Sequence, residues 1–296
     1  MRHLDGDLLD ALCDVLELEP GDLLERESKG KRARTRGCSD YCPPQLAQIF
    51  GEESSYKAAS PTMFAAAVRV QLQALGNGAR AATMRRYFKT GAGEYGAGDR
   101  FRGIPVPALR MLSRTHKDLA LGQVSRLLSS PWHEDRLVAL LILVRQYAHA
   151  APRRRQAIYR LYLRRRARIN NWDLVDCSAE HIVGAHVRDA GRSVLRRLAA
   201  SKRVWDRRIA IMATFHYIKR GKYGETVKLA RLLLADRHDL IHKAVGWMLR
   251  EIGKRDRVVE ERFLRRYGSQ MPRTVLHYAI ERFPSRLRRR YLEQFR

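Results

Sequence analysis

Four segments of the sequence align without gaps at a constant step of 33 residues, and this period constrains the fold more than any other feature. They begin at Trp172, Trp205, His238 and Met271, and an earlier copy begins 40 residues upstream of the first, at Trp132. A helix pair that recurs at this period is typical of an α-solenoid, because one pair cannot bury its apolar face without stacking on its neighbours. The sequence therefore predicts an all-α solenoid of antiparallel helix pairs that forms a curved basic groove.

The chain before the repeats has a different character. Residues 1–36 are acidic with leucines at helical spacing, whereas residues 29–45 combine basic residues, glycines and a Pro-Pro pair, as linkers do. From about residue 60 apolar residues recur almost continuously at the spacing of amphipathic helices. We therefore divide the chain into an appendage (1–36), a linker (37–60) and a repeat domain (61–296).

The chain is strongly basic, with 58 Lys and Arg against 31 Asp and Glu and a formal net charge of +27 at pH 7. A surplus of this size indicates a polyanionic partner, and nucleic acid is the first candidate. Much of the surplus lies in the repeats, as in PRRRQAIYRLYLRRRAR at residues 152–168 and in the arginines of residues 286–290. A curved surface lined with arginine suits a DNA duplex, held through its phosphates with little sequence preference.

Several protein classes are disfavoured by the sequence. No apolar run approaches the roughly 20 residues that cross a bilayer, the acidic first residues do not resemble a signal peptide, and no lipidation motif is present. The four cysteines are too few and too scattered for a disulfide framework. We therefore expect a cytoplasmic monomer with reduced thiols that associates with the nucleoid through DNA and with no membrane.

Patterns that superficially match cofactor or metal sites lack the context that such sites need. GAGEYG at residues 91–96 is a literal G-x-G-x-x-G, but no apolar strand precedes it and no helix opens at its end, so it is interpreted as a flexible loop. Cys38 and Cys42 lack the second ligand pair of a structural zinc site. His181 and His186 are five apart, which places them on different sides of a helix. The sequence predicts neither a metal nor an organic cofactor.

The stretch NWDLVD at residues 171–176 is the strongest candidate for chemistry. Trp172 and Asp176 are four residues apart, so an aromatic ring and a carboxylate share one helix face. The equivalents of Asp176 in the next two repeats are Ile209 and His242, so the repeat architecture does not itself require an acid there. Taken singly, Trp172 also fits a hydrophobic staple and Asp176 an ion pair with an arginine of the adjacent helix.

Five short motifs occur in a characteristic order: RYFK at 86–89, FRGI at 101–104, WDLVD at 172–176, WDRR at 205–208 and KAVGWMLRE at 243–251. From about residue 63 to the C terminus the chain thereby resembles the HEAT-like-repeat DNA alkylation repair proteins, the AlkD-type alkylpurine DNA glycosylases. The resemblance implies excision of N3- and N7-alkylated purines from duplex DNA without turning the base into a pocket, unlike most glycosylases.

The resemblance also implies roles for individual residues. Trp172 and Trp247 match two active-site tryptophans, and Asp176 matches the catalytic carboxylate. Arg208 matches an arginine near the lesion-bearing strand, which we expect to hold a phosphate, and Tyr87 resembles a tyrosine lining the same cleft. The implied partner is double-stranded DNA carrying alkylated bases, and no cofactor is required.

Two other functions are left open by the sequence. The same fold and charge would suit a non-catalytic HEAT-like scaffold that binds nucleic acid through its groove. Residues 1–36 resemble the last helices of a Cro/C1-type helix-turn-helix domain, in the stretch LCDVLELEPGDLL, without the helices that would enter the major groove. A transcriptional regulator is therefore the second alternative.

Overall fold

The structure is a computed structural model that describes residues 64–187 and 193–295, and stacked helices make up most of it. The expected appendage (1–36) and linker (37–60) lie outside the described residues. The helices are α1 (Ala65–Ala74), α2 (Gly78–Tyr87), α3 (Val106–Thr115), α4 (Leu121–Leu128), α5 (His133–His149), α6 (Pro152–Arg165), α7 (Trp172–Asp176), α8 (Ser193–Ala199), α9 (Val204–Ala213), α10 (Phe215–Ile218), α11 (Gly224–Leu233), α12 (Asp239–Gly253), α13 (Arg257–Tyr267), α14 (Arg273–Ala279) and α15 (Ser285–Gln294).

The all-α solenoid prediction is confirmed for the described residues. Their one β-type pairing is an isolated bridge between Arg100 and Trp132. Short 3₁₀ turns follow α6, α13 and α14, and a π-helix at Glu180–Gly184 continues the segment that α7 begins. None of the described helices is long and apolar enough to cross a membrane.

From α5 onward the helices form two layers, as the repeat period predicts. The first helices of successive pairs contact one another in series, and the second helices pack behind them. We call the first set the site layer; it consists of residues 133–149, 172–184, 204–218, 239–253 and 273–282. We call the second set the outer layer; it consists of α6, α8, α11, α13 and α15. A continuous apolar core runs between the layers, with residues such as Ile209, Val245 and Leu249 fully buried.

Glycines allow neighbouring helices of the site layer to approach closely. A β-carbon at Gly184 would overlap the carbonyl oxygen of Ala213, and one at Gly246 would overlap the backbone and side chain of the helix that carries Tyr278. Because these neighbours are backbone or β-carbon atoms and not flexible side-chain ends, they cannot move aside easily. Helix-to-helix distances along the site layer are therefore set by the absence of a side chain at these positions.

The arginine-rich stretches that we expected along the groove belong to the outer layer. Helix α6 directs Ile158 and Tyr162 into the core, and five of its six arginines are exposed to solvent. The arginines of residues 286–290 are exposed in the same way on α15. Helical amphipathicity explains this placement, because each outer-layer helix turns its apolar face toward the site layer.

Candidate active site

An ion pair between Asp176 and Arg208 joins consecutive repeats in the site layer. Asp176 ends α7 and Arg208 lies in α9. Arg208 Nε donates to Asp176 Oδ1 at 2.9 Å, and Arg208 Nη2 donates to Asp176 Oδ2 at 2.7 Å. Arg208 Nη1 donates to the backbone carbonyl of Leu240, at the start of α12, at 2.5 Å. One guanidinium thus connects three successive repeats.

The pair is largely but not completely withdrawn from water. The side chain of Asp176 is 15% exposed and that of Arg208 is 6% exposed. Burial raises the pKa of Asp176 above its ordinary value, Arg208 acts to lower it, and the nearby charge of Asp173 adds to the rise. Both carboxylate oxygens accept hydrogen bonds from a permanently charged guanidinium, which is the arrangement of an ionised carboxylate. In such a partly desolvated setting its charge interacts strongly with any cation nearby.

Trp172, at the other end of α7, packs in an aromatic cluster with α2. Its ring stacks on Phe88 at a centroid distance of 5.3 Å and meets Tyr87 edge-on at 6.0 Å. Phe101, from the FRGI motif, stacks on the opposite side of Phe88 at 5.0 Å. The structure therefore brings Tyr87 and Trp172 together, as the expectation of one shared cleft requires.

Tyr95 reaches the same place and was missed by the sequence analysis. Burial raises the pKa of Tyr95, and the neighbouring Trp172 indole N–H partly opposes this rise. The Tyr95 ring also meets Trp205 edge-on at 5.9 Å. Tyr95 thus links the tryptophans of two adjacent repeats.

The GAGEYG segment that carries Tyr95 is a loop, as expected, and two of its glycines are needed for its turns. Gly93 has φ 79°, a conformation that favours glycine. A β-carbon at Gly96 would overlap the carbonyl oxygen of Phe88. The loop backbone requires these glycines, and a bound dinucleotide does not. Reading them as turn residues is the signal that could have identified Tyr95 as part of a folded loop.

A buried histidine ties this loop to the first turn of α7. His133 Nε2 lies 2.7 Å from Asp173 Oδ2, and His133 Nδ1 lies 3.3 Å from Asp99 Oδ2. Burial by itself would lower the pKa of His133, but the charge of Asp173 and the hydrogen bonds of both aspartates raise it to about 9. Arg136 donates to the other oxygen of Asp99 at 2.7 Å. At neutral pH the cluster therefore holds a protonated imidazole between two carboxylates, directly beside Trp172.

A family model described as DNA alkylation repair enzyme matches residues 68–283, which include every site residue named above. The chain belongs to the DNA alkylation repair enzyme family. A solved structure that resembles it is a protein from Enterococcus faecalis described as a predicted DNA alkylation repair enzyme, with a TM-score of 0.56 and 18% sequence identity. The likeness covers 71% of this chain and 97% of that one, and at this identity it shows a shared fold. A search of curated proteins finds no match.

Within this DNA alkylation repair fold, Trp247 lies further along the site layer. It follows Leu240 by seven residues on α12, which places it about 10 Å along the helix axis from the carbonyl that accepts from Arg208. Its half-buried ring contacts Phe215 at a centroid distance of 6.3 Å. The indole Nε1 is buried and has no hydrogen-bond partner among the described residues. Trp247 therefore lies in the same layer as the Asp176–Arg208 pair, further along it and out of contact with Arg208's acceptor at Leu240.

In the structure Arg208 bonds to Asp176 and Leu240, whereas we expected it to hold a DNA phosphate. Its bidentate edge faces Asp176, and its remaining terminal nitrogen donates to Leu240. These three bonds use three of the five guanidinium hydrogens of a side chain that is 6% exposed, and the phosphate contact stays a prediction. In this DNA alkylation repair family member Arg208 therefore positions Asp176.

The described residues around Asp176 supply neither a reactive thiolate nor a cluster of metal ligands. Burial raises the pKa of the Cys177 thiol, so that this thiol stays protonated and is a poor nucleophile. Across residues 64–187 and 193–295, no group of three or more His, Cys, Asp or Glu side chains is placed to hold a metal ion.

Proposed function

We propose that this protein is a DNA glycosylase that hydrolyses the N-glycosidic bond of N3- and N7-alkylated purines in duplex DNA. The observation that carries the proposal is the Asp176 carboxylate, which is held by the bidentate Arg208 and keeps 15% of its side chain exposed. Membership of the DNA alkylation repair enzyme family supports a role in DNA repair. The specific reaction and lesion class go beyond that membership and follow from the chemistry below.

The chemistry uses the lesion's own charge. An alkylated purine ring nitrogen carries a formal positive charge, and the electron pair of the C1′–N bond leaves with the base and neutralises it. The sugar then becomes an oxocarbenium-like cation, which the ionised Asp176 stabilises electrostatically. A water molecule bonds to C1′ and its proton passes to bulk water, and each Asp176 oxygen retains a lone pair that can orient the attacking water. No metal or redox cofactor enters these steps.

Trp172, on the same helix as Asp176, supports the same cation. The Trp172 face, backed by Phe88 and edged by Tyr87, and the Trp247 ring further along the layer would pack on the deoxyribose backbone. A cation over an indole face gains about 0.5–2 kcal/mol. Because the group being stabilised is the sugar and not the base, the base can stay in the helical stack, as the family resemblance implies.

The proposed partner is double-stranded DNA, and the net charge of +27 supports it. Such binding weakens steeply as salt rises, because each neutralised phosphate releases counterions. We propose a monomer that acts in the cytoplasm, at the nucleoid and without a membrane partner.

The proposal is tested by measuring release of N7-methylguanine from a methylated duplex under single-turnover conditions. We expect Asp176→Asn to lose ~100-fold or more in rate, since removal of one preorganised electrostatic group has this effect, while duplex binding is retained. Asp239→Asn is the matched control, because Asp239 lies on a neighbouring site-layer helix with its side chain 56% exposed and paired with Lys243. Equal release by wild type and Asp176→Asn would remove Asp176 from its role.

The same assay separates the alternatives. Duplex binding without base release from wild type would favour the non-catalytic scaffold. Operator-selective binding that vanishes when residues 1–36 are deleted would favour the regulator, whereas the glycosylase proposal expects that deletion to leave base release intact.

A further inference from the structure

The exposed charges of the protein are distributed unequally between its two layers. The site-layer helices expose Arg273 and Arg282 against Asp239 and Glu281, so their exposed lysine, arginine and acidic charges cancel. The outer-layer helices expose seventeen Lys and Arg but one acidic residue, Glu293. The exposed outer-layer cations are Arg153, Arg154, Arg160, Arg164, Arg165, Arg196, Arg197, Lys228, Arg231, Arg257, Arg262, Arg265, Arg266, Arg286, Arg288, Arg289 and Arg290.

The density is highest where α13 and α15 pack together at the C-terminal end. The guanidinium of Arg257, on α13, lies 4.7 Å from the ring centre of Phe283, just before α15, which places the two helices side by side. We call the exposed arginines of these two helices the C-terminal arginine patch. Arg257 and Arg265 share the single carboxylate of Glu261.

Most of this patch lacks counter-charge within the protein. In the part of the chain that the structure describes, the guanidinium groups of Arg262 and of the four arginines at 286, 288, 289 and 290 make neither an ion pair nor a hydrogen bond. Like charges clustered on one surface repel one another and weaken the folded state, and a bound polyanion relieves this repulsion. The planar guanidinium fork matches phosphate oxygens in particular.

The surroundings of these arginines distinguish among polyanions. Single-stranded nucleic acid binds on exposed aromatic rings that stack with its bases, and an interfacial helix needs an exposed face of large apolar residues. Among the described residues the exposed large hydrophobics are Phe64, Val70, Leu232 and Val258, and the two of these on outer-layer helices are isolated aliphatics. Spaced guanidiniums without stacking or insertion groups fit the regular phosphate backbone of a duplex.

We propose that the outer layer is a second binding surface for duplex DNA, on the side of the molecule opposite the Asp176–Arg208 pair. A single molecule would then hold one duplex at its site layer and a second segment on its outer layer. Such an arrangement allows direct transfer from one DNA segment to another during a search. The inference does not depend on the excision chemistry, because it concerns undamaged DNA and a different face.

The test is capture of a fluorescent duplex by wild-type protein bound to a second, bead-immobilised duplex, both free of lesions. The key variant combines Arg286→Gln, Arg288→Gln, Arg289→Gln and Arg290→Gln. We expect it to bind the immobilised duplex but to capture at least tenfold less of the second. The salt dependence of capture should weaken by up to about 3.6 in slope, 0.9 for each lost phosphate contact.

Two controls keep the result interpretable. The same four positions changed to lysine retain charge and should retain capture. Asp239→Asn, which alters an exposed site-layer charge outside the proposed machinery, should capture as wild type does. Should the glutamine variant fold poorly, Arg164→Gln combined with Arg165→Gln tests the other end of the outer layer and should also reduce capture.

Three results would overturn the proposal. The glutamine variant could capture the second duplex as well as wild type does. Sedimentation could show that every two-duplex complex contains two protein molecules, in which case dimerisation explains the bridging. Finally, single-stranded DNA or RNA could displace the second duplex at equal nucleotide concentration, which would assign the surface to another polyanion.

Discussion

Replacing Arg208 by methionine tests whether this arginine holds Asp176 in place. The change removes both charged hydrogen bonds, at 2.9 and 2.7 Å, and leaves a carboxylate that is 15% exposed facing an apolar side chain. Breaking a buried pair in this way costs about 3–5 kcal/mol of the free energy of unfolding, and the residual exposure of Asp176 favours the lower end. The loss should appear in urea unfolding near neutral pH.

The same change should move the pH dependence of base release. Burial raises the pKa of Asp176 and Arg208 opposes this rise. Without Arg208 the pKa rises further, so that Asp176 is protonated, and inactive, at a higher pH than in wild type. The acid limb of the single-turnover pH–rate profile should therefore shift toward higher pH.

A neighbouring arginine supplies the control. Arg207 pairs with Asp236 at 2.5 Å, outside the site, so Arg207→Met should reduce stability without shifting the acid limb. Combining Asp176→Asn with Arg208→Met should recover part of the stability, with a coupling energy of about 0.5–3 kcal/mol, because no buried charge is then left unpaired. An Arg208→Met protein that loses less than about 0.5 kcal/mol and keeps the wild-type acid limb would refute the role assigned to this pair.

Three further predictions follow from the described contacts. The folded-state pKa of His133 is about 9, against an ordinary value of 6.5, so protonated His133 stabilises the fold by on the order of 3 kcal/mol. This stabilisation is complete below pH 6.5 and is lost as the pH rises through about 9. Thermal unfolding across this range should show the loss in wild type and not in His133→Gln. Tyr95→Phe removes the hydroxyl beside the Trp172 indole N–H but keeps the ring, so base release should slow by up to about tenfold, with duplex binding unchanged; an unaltered rate would show that the hydroxyl does not position the indole. Gly184→Ala should cost more than about 2 kcal/mol, because the added carbon meets the Ala213 carbonyl, and unchanged urea unfolding would contradict the close helix contact.

The aromatic and ionic parts of the site are supported from behind by one loop. Tyr95 reaches Trp172 and Trp205, and Asp99 at the end of the same loop reaches His133. The loop thus supports the first turn of α7, through Trp172 and, by way of His133, through Asp173. Catalytic geometry needs such support, because a small displacement of the group that stabilises charge reduces the rate sharply.

Much of the site could be predicted from the sequence because it depends on local spacing. Trp172 and Asp176 were singled out by their four-residue separation and by the absence of an acid in the next repeats, and the structure places both on α7. For Arg208 the motif match predicts a place in the site, because a motif cannot show which atoms the guanidinium contacts. Tyr95 was missed since its segment carried a misleading glycine pattern.

By itself the sequence determined the helical fold and its 33-residue repeat, because both follow from the local spacing of apolar residues along the repeat domain. Only the tertiary structure decided that Arg208 faces Asp176, that the GAGEYG loop folds back onto Trp172, and that the arginine-rich helices form the outer layer. The physical reason is that these contacts join residues 30 or more positions apart. They depend on how the faces of helices in neighbouring repeats pack together, and the residue spacing within one repeat does not determine that packing.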